Sequence, residues 1–222
     1  MQQLQNLQPF PQKKRKNPLL RINDKIETMS GEALLAELSL LPEWRRREAL
    51  RYSHIAGRRE STMAFRLLQE MTGIRDLEFS LGEHGKPEIK GRPDIRFNLS
   101  HCRCAVACAV DSVPVGVDIE RTGRYSRSLA ERTLSAAELH SILYASEDTS
   151  LARKPEETDL MFTVLWTKKE ALLKLLGTGI GLTENVRRVL GDYEGMVVFD
   201  TVIDRERRYV CTEARFTVRE DS

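Results

Sequence analysis

Three short segments of this 222-residue chain hold side chains whose types and spacing suit chemistry on a phosphate. The first is Pro114–Val115–Gly116–Val117–Asp118–Ile119–Glu120, which alternates strictly after the proline. Successive side chains of a strand point to opposite faces, so Val115, Val117 and Ile119 share one face while Gly116, Asp118 and Glu120 share the other. Two carboxylates two residues apart on a rigid strand can both reach one hard divalent cation such as magnesium, and Gly116 beside them leaves room for a ligand. A half-buried strand with an ordinary solvent face would show the same alternation, and on this segment the two readings stand level.

The second segment is Leu165–Trp166–Thr167–Lys168–Lys169–Glu170–Ala171–Leu172–Leu173–Lys174. On a helix Trp166, Glu170 and Lys174 stack on one face, with Leu165, Leu172, Leu173 and Leu176 supplying apolar surface. Glu170 could serve as metal ligand or base and Lys174 as counter-charge on a metal-bound phosphate. A surface Glu-to-Lys pair, worth only about 0.2–0.5 kcal/mol, has the same spacing. The third segment joins the turn Gly85–Lys86–Pro87 to Phe97–Asn98–Leu99–Ser100–His101. A glycine turn can bring backbone N–H groups and Lys86 onto a phosphate or base edge, and His101 at a strand end is a candidate phosphate ligand. A plain turn and a structural histidine are the competing readings.

The elements that must position these groups follow from periodicity. Ala33, Leu34, Leu38 and Leu41 recur at helical spacing behind a capping Ser30, and further helices are expected over Pro42–Ala56 and Arg58–Met71, carrying Arg45, Arg46, Arg47, Arg51, Arg58, Arg59 and Arg66. Past Gly73 short strands alternate with turns at Gly82, Gly85–Pro87, Gly91–Pro93 and Pro114. Helical patterns return at Ser126–Glu131, Ser135–Tyr144 and Phe162–Leu176, and Val186–Val218 reads as strands. Helices and antiparallel-type strands thus occur twice, which predicts an α+β fold with two similar-sized halves meeting near Asp111–Pro114.

With 41% hydrophobic residues the chain can build a core, and 35 basic against 33 acidic residues leave none of the excess a dedicated nucleic-acid binder carries. No nucleic-acid partner is expected. No apolar run approaches the roughly 20 residues of a membrane helix, and the polar start lacks the apolar middle of a signal peptide, so a cytoplasmic protein with no membrane partner is expected. Residues 1–18 are polar, with the basic run Lys13–Lys14–Arg15–Lys16, and read as a flexible arm. Cys102, Cys104 and Cys108 crowd one stretch, but CRCAVACAV looks extended, which would hold Cys102 and Cys108 roughly 20 Å apart; structural thiols lining a strand are expected rather than a zinc site.

Together the segments resemble the phosphopantetheinyl transferases, specifically the two-lobed surfactin-synthetase-activating type. That family's ordered pattern is a Gly-Lys-Pro turn, a Phe-Asn-(Leu/Ile)-Ser-His strand, (Val/Ile)-Gly-(Val/Ile)-Asp-(Ile/Val)-Glu, and Trp-(Ser/Thr)-x-Lys-Glu-(Ala/Ser)-x-x-Lys. All four stand here in order, and the resemblance covers roughly Arg58 to Gly181. It implies transfer of 4'-phosphopantetheine from coenzyme A to a serine of an apo carrier protein (acyl, polyketide or peptidyl), with release of adenosine 3',5'-bisphosphate. It further implies magnesium held by Asp118, Glu120 and Glu170, with Glu170 also the base. Lys174 and His101 would contact the pyrophosphate, Ser100 and His101 the 3'-phosphate side, and Gly85 and Lys86 the adenosine part. Among the first-half arginines Arg59, or Arg58, is the candidate phosphate contact. Glu138 resembles a family position near the cofactor or is a plain helix-surface glutamate, and the charged stretch Ser146–Asp159 reads as a mobile connection. The resemblance implies two pseudo-symmetric α/β halves, residues 19–113 and 114–222, with the active site in the cleft between them and the metal held by the second. A monomer is implied, with acidic carriers steered by first-half arginines.

Overall fold

A computed structural model describes residues 20–82, 85–145, 152–178 and 183–217. The arm proposed for residues 1–18 lies outside these, as do residues 146–151. Fifteen elements follow in chain order: β1 (Leu20–Asn23), α1 (Gly31–Ser39), α2 (Glu43–Leu50), α3 (Ile55–Thr72), β2 (Phe79–Leu81), β3 (Pro87–Ile89), β4 (Arg96–Cys102), β5 (Ala105–Asp111), β6 (Val115–Arg121), α4 (Arg127–Thr133), α5 (Ala136–Leu143), α6 (Pro155–Leu176), α7 (Thr183–Asp192), β7 (Val197–Asp204) and β8 (Tyr209–Phe216). The α+β class expected from the sequence is the class observed.

Local chemistry sets many boundaries. Ser30 Oγ accepts from the Ala33 N–H at the start of α1, and Ser135 with Glu138 forms a reciprocal capping box on α5. Pro155 opens α6, where its missing N–H costs nothing, and Gly177 closes the helix with φ of 74°, a left-handed conformation that a side chain resists.

All strand pairs are antiparallel. One three-stranded sheet has the order β1-β5-β4, a second has β6-β8-β7, and β2 with β3 forms a separate hairpin. β5 is buried on both faces, which explains its near-continuous apolar run. Val106 and Cys108 pack under Phe65 and Leu68 of α3, whereas Ala105, Ala107 and Ala109 meet Val115, Val117 and Ile119 of β6. Alanines on that face let the two sheets approach closely.

Several expectations are corrected. Val186 onward begins as a helix, because Val186, Val189 and Leu190 stand at helical spacing and pack on α6. The helix expected over Pro42–Ala56 breaks after Leu50, and the next starts at Ile55. The charged stretch before Phe162 is helical from Pro155, so only its first part lies outside the described residues. β1 was missed in the sequence: its four residues gain strand character by pairing with β5. CRCAVACAV is a hairpin and not one extended strand, since Cys102 pairs with Ala105 across a turn at Arg103–Cys104. All four cysteines are free thiols and buried.

Candidate active site

The site is assembled where β4, β6 and α6 meet. β6 lies at the open edge of its sheet, hydrogen-bonded to a neighbouring strand only through β8. The N–H groups of Val117 and Ile119 would be orphaned there without another partner. Asn98 Oδ1 accepts from Val117 at 2.8 Å and Ser100 Oγ from Ile119 at 3.2 Å. Two polar side chains two residues apart on β4 thus satisfy two N–H groups two residues apart on β6, stitching one sheet to the other. The sequence reading missed Asn98, although its alternation with Ser100 was the available signal.

The opposite face of β6 receives α6. A Cβ added at Gly116 would lie 2.0 Å from the Ala171 carbonyl oxygen and 2.6 Å from the Leu175 nitrogen. Gly116 therefore makes room for the helix backbone and not, as expected, for a ligand. Neither face of β6 is an ordinary solvent face, because Val115 through Ile119 are all buried.

This contact brings Glu170 and Lys174 over Asp118. Lys174 Nζ donates to Asp118 Oδ1 at 2.6 Å and to Ser100 Oγ at 3.0 Å, and Ser100 Oγ donates to Asp118 Oδ1 at 2.8 Å. Ser100 thus makes one donated and two accepted bonds, the full capacity of a hydroxyl. Asp118 is 4% exposed and Glu170 7% exposed. Asp118 Oδ2 and Glu170 Oε1 are buried without a hydrogen-bond partner. Burial first, then the neighbouring Asp118 carboxylate, pushes Glu170 up to about 7, with Glu120 adding to the rise and Lys174 opposing it. Glu120 is likewise raised, by burial and then Asp118, against the Arg124 guanidinium, which donates to it at 2.7 Å, and the Trp166 indole.

Three neighbouring acids, two of them (Asp118 and Glu170) with a buried unsatisfied oxygen, form a site whose donor chemistry suits a hard cation. As they stand, no three His, Cys, Asp or Glu side chains among the described residues converge closely enough to enclose an ion. Lys174 occupies one oxygen of Asp118 instead.

His101 sits at the end of β4, half exposed, with Nδ1 3.2 Å from Glu60 Oε2. It lines a pocket of about 520 Å³ together with Glu120, Arg103, Arg124 and Arg208. Of the three acids only Glu120 lines it, beside the histidine and a set of guanidiniums.

The other candidates lie elsewhere. Lys86 Nζ donates to the Lys174 carbonyl at 2.8 Å and the Val115 carbonyl at 3.1 Å, bolting the β2–β3 hairpin to the last turns of α6. Burial, then Arg96, lowers its pKa to about 8 against Glu88. Gly85 has φ of 77° and open space where a side chain would be. Arg59 is not among the residues lining the pocket and donates to the carbonyls of Glu27 and Met29, and Arg58 donates to the Tyr52 carbonyl. Glu138 is no free surface acid: it receives the Ser135 N–H and pairs at 2.8 Å with Lys169, which is fully buried and also donates to the Val186 and Arg187 carbonyls. Lys169 thereby ties α5, α6 and α7 together.

Comparison with known proteins places this arrangement. The model of the 4'-phosphopantetheinyl transferase superfamily matches residues 114–214, the stretch that holds all three acids and Lys174. The 4'-phosphopantetheinyl transferase AcpT of Salmonella typhimurium is 32% identical over 164 residues, 72% of this chain and 80% of that protein. The chain belongs to the 4'-phosphopantetheinyl transferase superfamily. Within that superfamily it is also similar to the 4'-phosphopantetheinyl transferase Sfp of Bacillus subtilis, 40% identical over 48% of this chain and 44% of the relative. The psf-1 transferase of Bacillus pumilus is 37% identical over 57% of this chain and 52% of the relative. The chain therefore spans about half the length of these two Bacillus relatives.

Proposed function

We propose that this protein transfers 4'-phosphopantetheine from coenzyme A to a serine hydroxyl of an apo acyl, polyketide or peptidyl carrier protein. The observation that carries the reading is the buried junction of Asp118, Glu170, Lys174 and Ser100, with Glu120, two residues along β6 from Asp118, lining a pocket rimmed by His101 and arginines. Asp118, Glu120 and Glu170 would hold magnesium, which when bound neutralises charge on the pyrophosphate. The unsatisfied oxygens of Asp118 and Glu170 support that fit.

The reaction needs a serine oxygen brought in line with the phosphorus next to pantetheine. The bond from that phosphorus to the bridging oxygen breaks, adenosine 3',5'-bisphosphate leaves, and the serine proton goes to a base. Glu170, raised in the metal-free site by burial and then by Asp118, is the candidate base for the serine proton. Lys174, paired with Asp118 at 2.6 Å, would hold its positive charge near the transferring group. His101, with Arg103, Arg124 and Arg208, supplies donors to the pyrophosphate. Of the remaining coenzyme contacts, the Gly85 turn stays open to the adenosine part, whereas the side chains of Lys86, Ser100 and Arg59 are committed to protein partners and act as positioning residues.

In this reading residues 19–113 and 114–222 form two pseudo-symmetric lobes of a monomer, with the site in the cleft between them. Arginines of α2 and α3 would steer acidic carriers by long-range attraction. A cytoplasmic setting suits four free thiols; no helix among the described residues is long and apolar enough to cross a membrane. The test is intact-mass spectrometry of an apo carrier incubated with the protein, coenzyme A and magnesium, with a chelator control. Metal-dependent addition of one phosphopantetheine is expected. Several carriers gaining nothing while coenzyme A binds would overturn the assignment in favour of a coenzyme-binding protein.

A further inference from the structure

The turn of the β4–β5 hairpin carries a second constellation, independent of the acids. Cys102 and Cys104 flank Arg103, and their sulfurs lie 3.5 Å apart in a hydrogen-bonding contact. Cys108 and Cys211 sit in strand interiors, where burial pushes both thiols up. The Cys102–Cys104 pair differs in three respects. Its sulfurs already touch. Cys102 lines the 520 Å³ pocket, so a molecule little larger than water can reach it. The hydrogen bond from Cys102, then the Arg121 guanidinium, lower the Cys104 thiol to about 7 against burial and Glu27.

The geometry points to a reversible disulfide between Cys102 and Cys104, formed by hydrogen peroxide at the mouth of the pocket. Peroxide that reaches Cys102 is next to the Cys104 sulfur, 3.5 Å away, whose thiolate attacks one peroxide oxygen as the O–O bond breaks. A sulfenic acid forms on Cys104, and hydroxide leaves to take up the proton the thiol released. The Cys102 thiol then attacks the Cys104 sulfur, the S–O bond breaks, and its oxygen departs with the Cys102 proton as water. Two thiols are oxidised by two electrons in all, and one peroxide becomes two waters.

Closing the bond requires the sulfurs to move from 3.5 Å to about 2.0 Å. The movement is local to a tight turn, and a strained disulfide of this kind is readily reduced. It also acts one residue from His101 and two from Ser100, whose hydroxyl holds Asp118, Lys174 and the Ile119 N–H. Oxidation therefore moves the end of β4 that supplies both groups. Its effect on phosphopantetheine transfer rests on the function proposed above; the disulfide itself does not.

The experiment treats the full reduced chain with hydrogen peroxide, then denatures, alkylates without reductant, and maps the peptides by mass spectrometry. The expected result is a loss of about 2 Da, alkylation confined to Cys108 and Cys211, and recovery of all four sites after dithiothreitol. Cys108→Ser should leave this unchanged and Cys104→Ser should abolish it. The wild-type peptide map carries the test even if a variant fails to fold. Disulfides that involve Cys211, sulfinic acid accumulating on Cys104 without a disulfide, or no oxidation at peroxide levels that consume free cysteine would overturn the proposal. Amide resonances of Ser100, His101 and Ile119 should shift on oxidation; unmoved resonances beside a formed disulfide would overturn the coupling. Slower carrier modification is then expected; an unchanged rate with shifted resonances would overturn the link from the hairpin to catalysis, whereas no modification by the reduced chain would count against the transferase reading and not the disulfide.

Discussion

Replacing Gly116 by alanine adds one carbon and two hydrogens, yet it should be among the most damaging small changes in this protein. The new Cβ would stand 2.0 Å from the Ala171 oxygen, 2.6 Å from the Leu175 nitrogen and 3.0 Å from the Leu175 Cα, all backbone atoms that cannot rotate away. Restoring an ordinary contact of 3.4 Å requires α6 to retreat by about 1.4 Å at that turn. The same retreat would open the 2.6 Å Lys174–Asp118 contact to about 4 Å, beyond hydrogen-bond range. Overpacking costs about 1–3 kcal/mol, and a charge-assisted hydrogen bond lost adds about 1.5–3 kcal/mol. A total of about 4 kcal/mol follows. With a urea dependence of about 2–3 kcal/mol per molar for a chain of this size, the midpoint should fall by about 1.5 M. Tryptophan fluorescence reads this directly, since Trp166 lies on α6 itself. Gly31→Ala is the control: it opens α1, an added Cβ meets nothing within 4 Å, and the change should stay within about 0.5 kcal/mol. A midpoint shift at Gly116 as small as that of the control would refute the close approach of strand and helix backbone.

Further outcomes are expected at Glu170, Lys169 and Lys86. Glu170 titrates near 7 in the folded chain against an ordinary 4.5. Between these values the folded state binds the extra proton, so in chelator the stability contribution present below about pH 4.5 is lost as pH rises through 7. Glu170→Gln should flatten that slope in urea titrations, and magnesium should stabilise the wild-type chain more at pH 8 than at pH 5; a variant whose pH dependence matches that of the wild type would refute the burial argument. The same variant should be more stable than wild type at pH 8 while turnover falls by about 100- to 10,000-fold, as loss of a general base entails; a near-normal rate would remove Glu170 from the chemistry. Lys169→Met strands Glu138 and two carbonyls, and should cost about 3–5 kcal/mol in thermal or urea denaturation. Lys86→Met should lower stability by about 1–3 kcal/mol with an unchanged KM for coenzyme A; the reverse pattern would return the Lys86 ammonium to the coenzyme.

The chemistry-bearing side chains were legible because strand and helix periods are local. Alternation alone put Asp118 and Glu120 on one face of β6, and the 3.6-residue period alone aligned Glu170 with Lys174 on α6. The same local logic went astray where a pattern was short. Val186 to Leu190 suits a strand or a helix until its partner is known, and the decision came from packing against α6. Likewise β1 is too short to announce itself and exists because β5 offers an unpaired edge.

Which polar groups meet was beyond the reach of periodicity. The sequence by itself determined the inventory of carboxylates, ammoniums and thiols, the faces they share within each element, and the α+β class. Only the tertiary structure decided that Gly116 makes way for a helix, that Ser100 has no hydrogen-bonding capacity left for a ligand, and that Arg59 and Lys86 hold protein carbonyls. It also brought Asp118 of β6 beneath Lys174, 56 residues later in the chain. The reason is physical: spacing along a chain orders the side chains of one element, whereas desolvation and hydrogen bonding between elements depend on distances that only the packed fold sets.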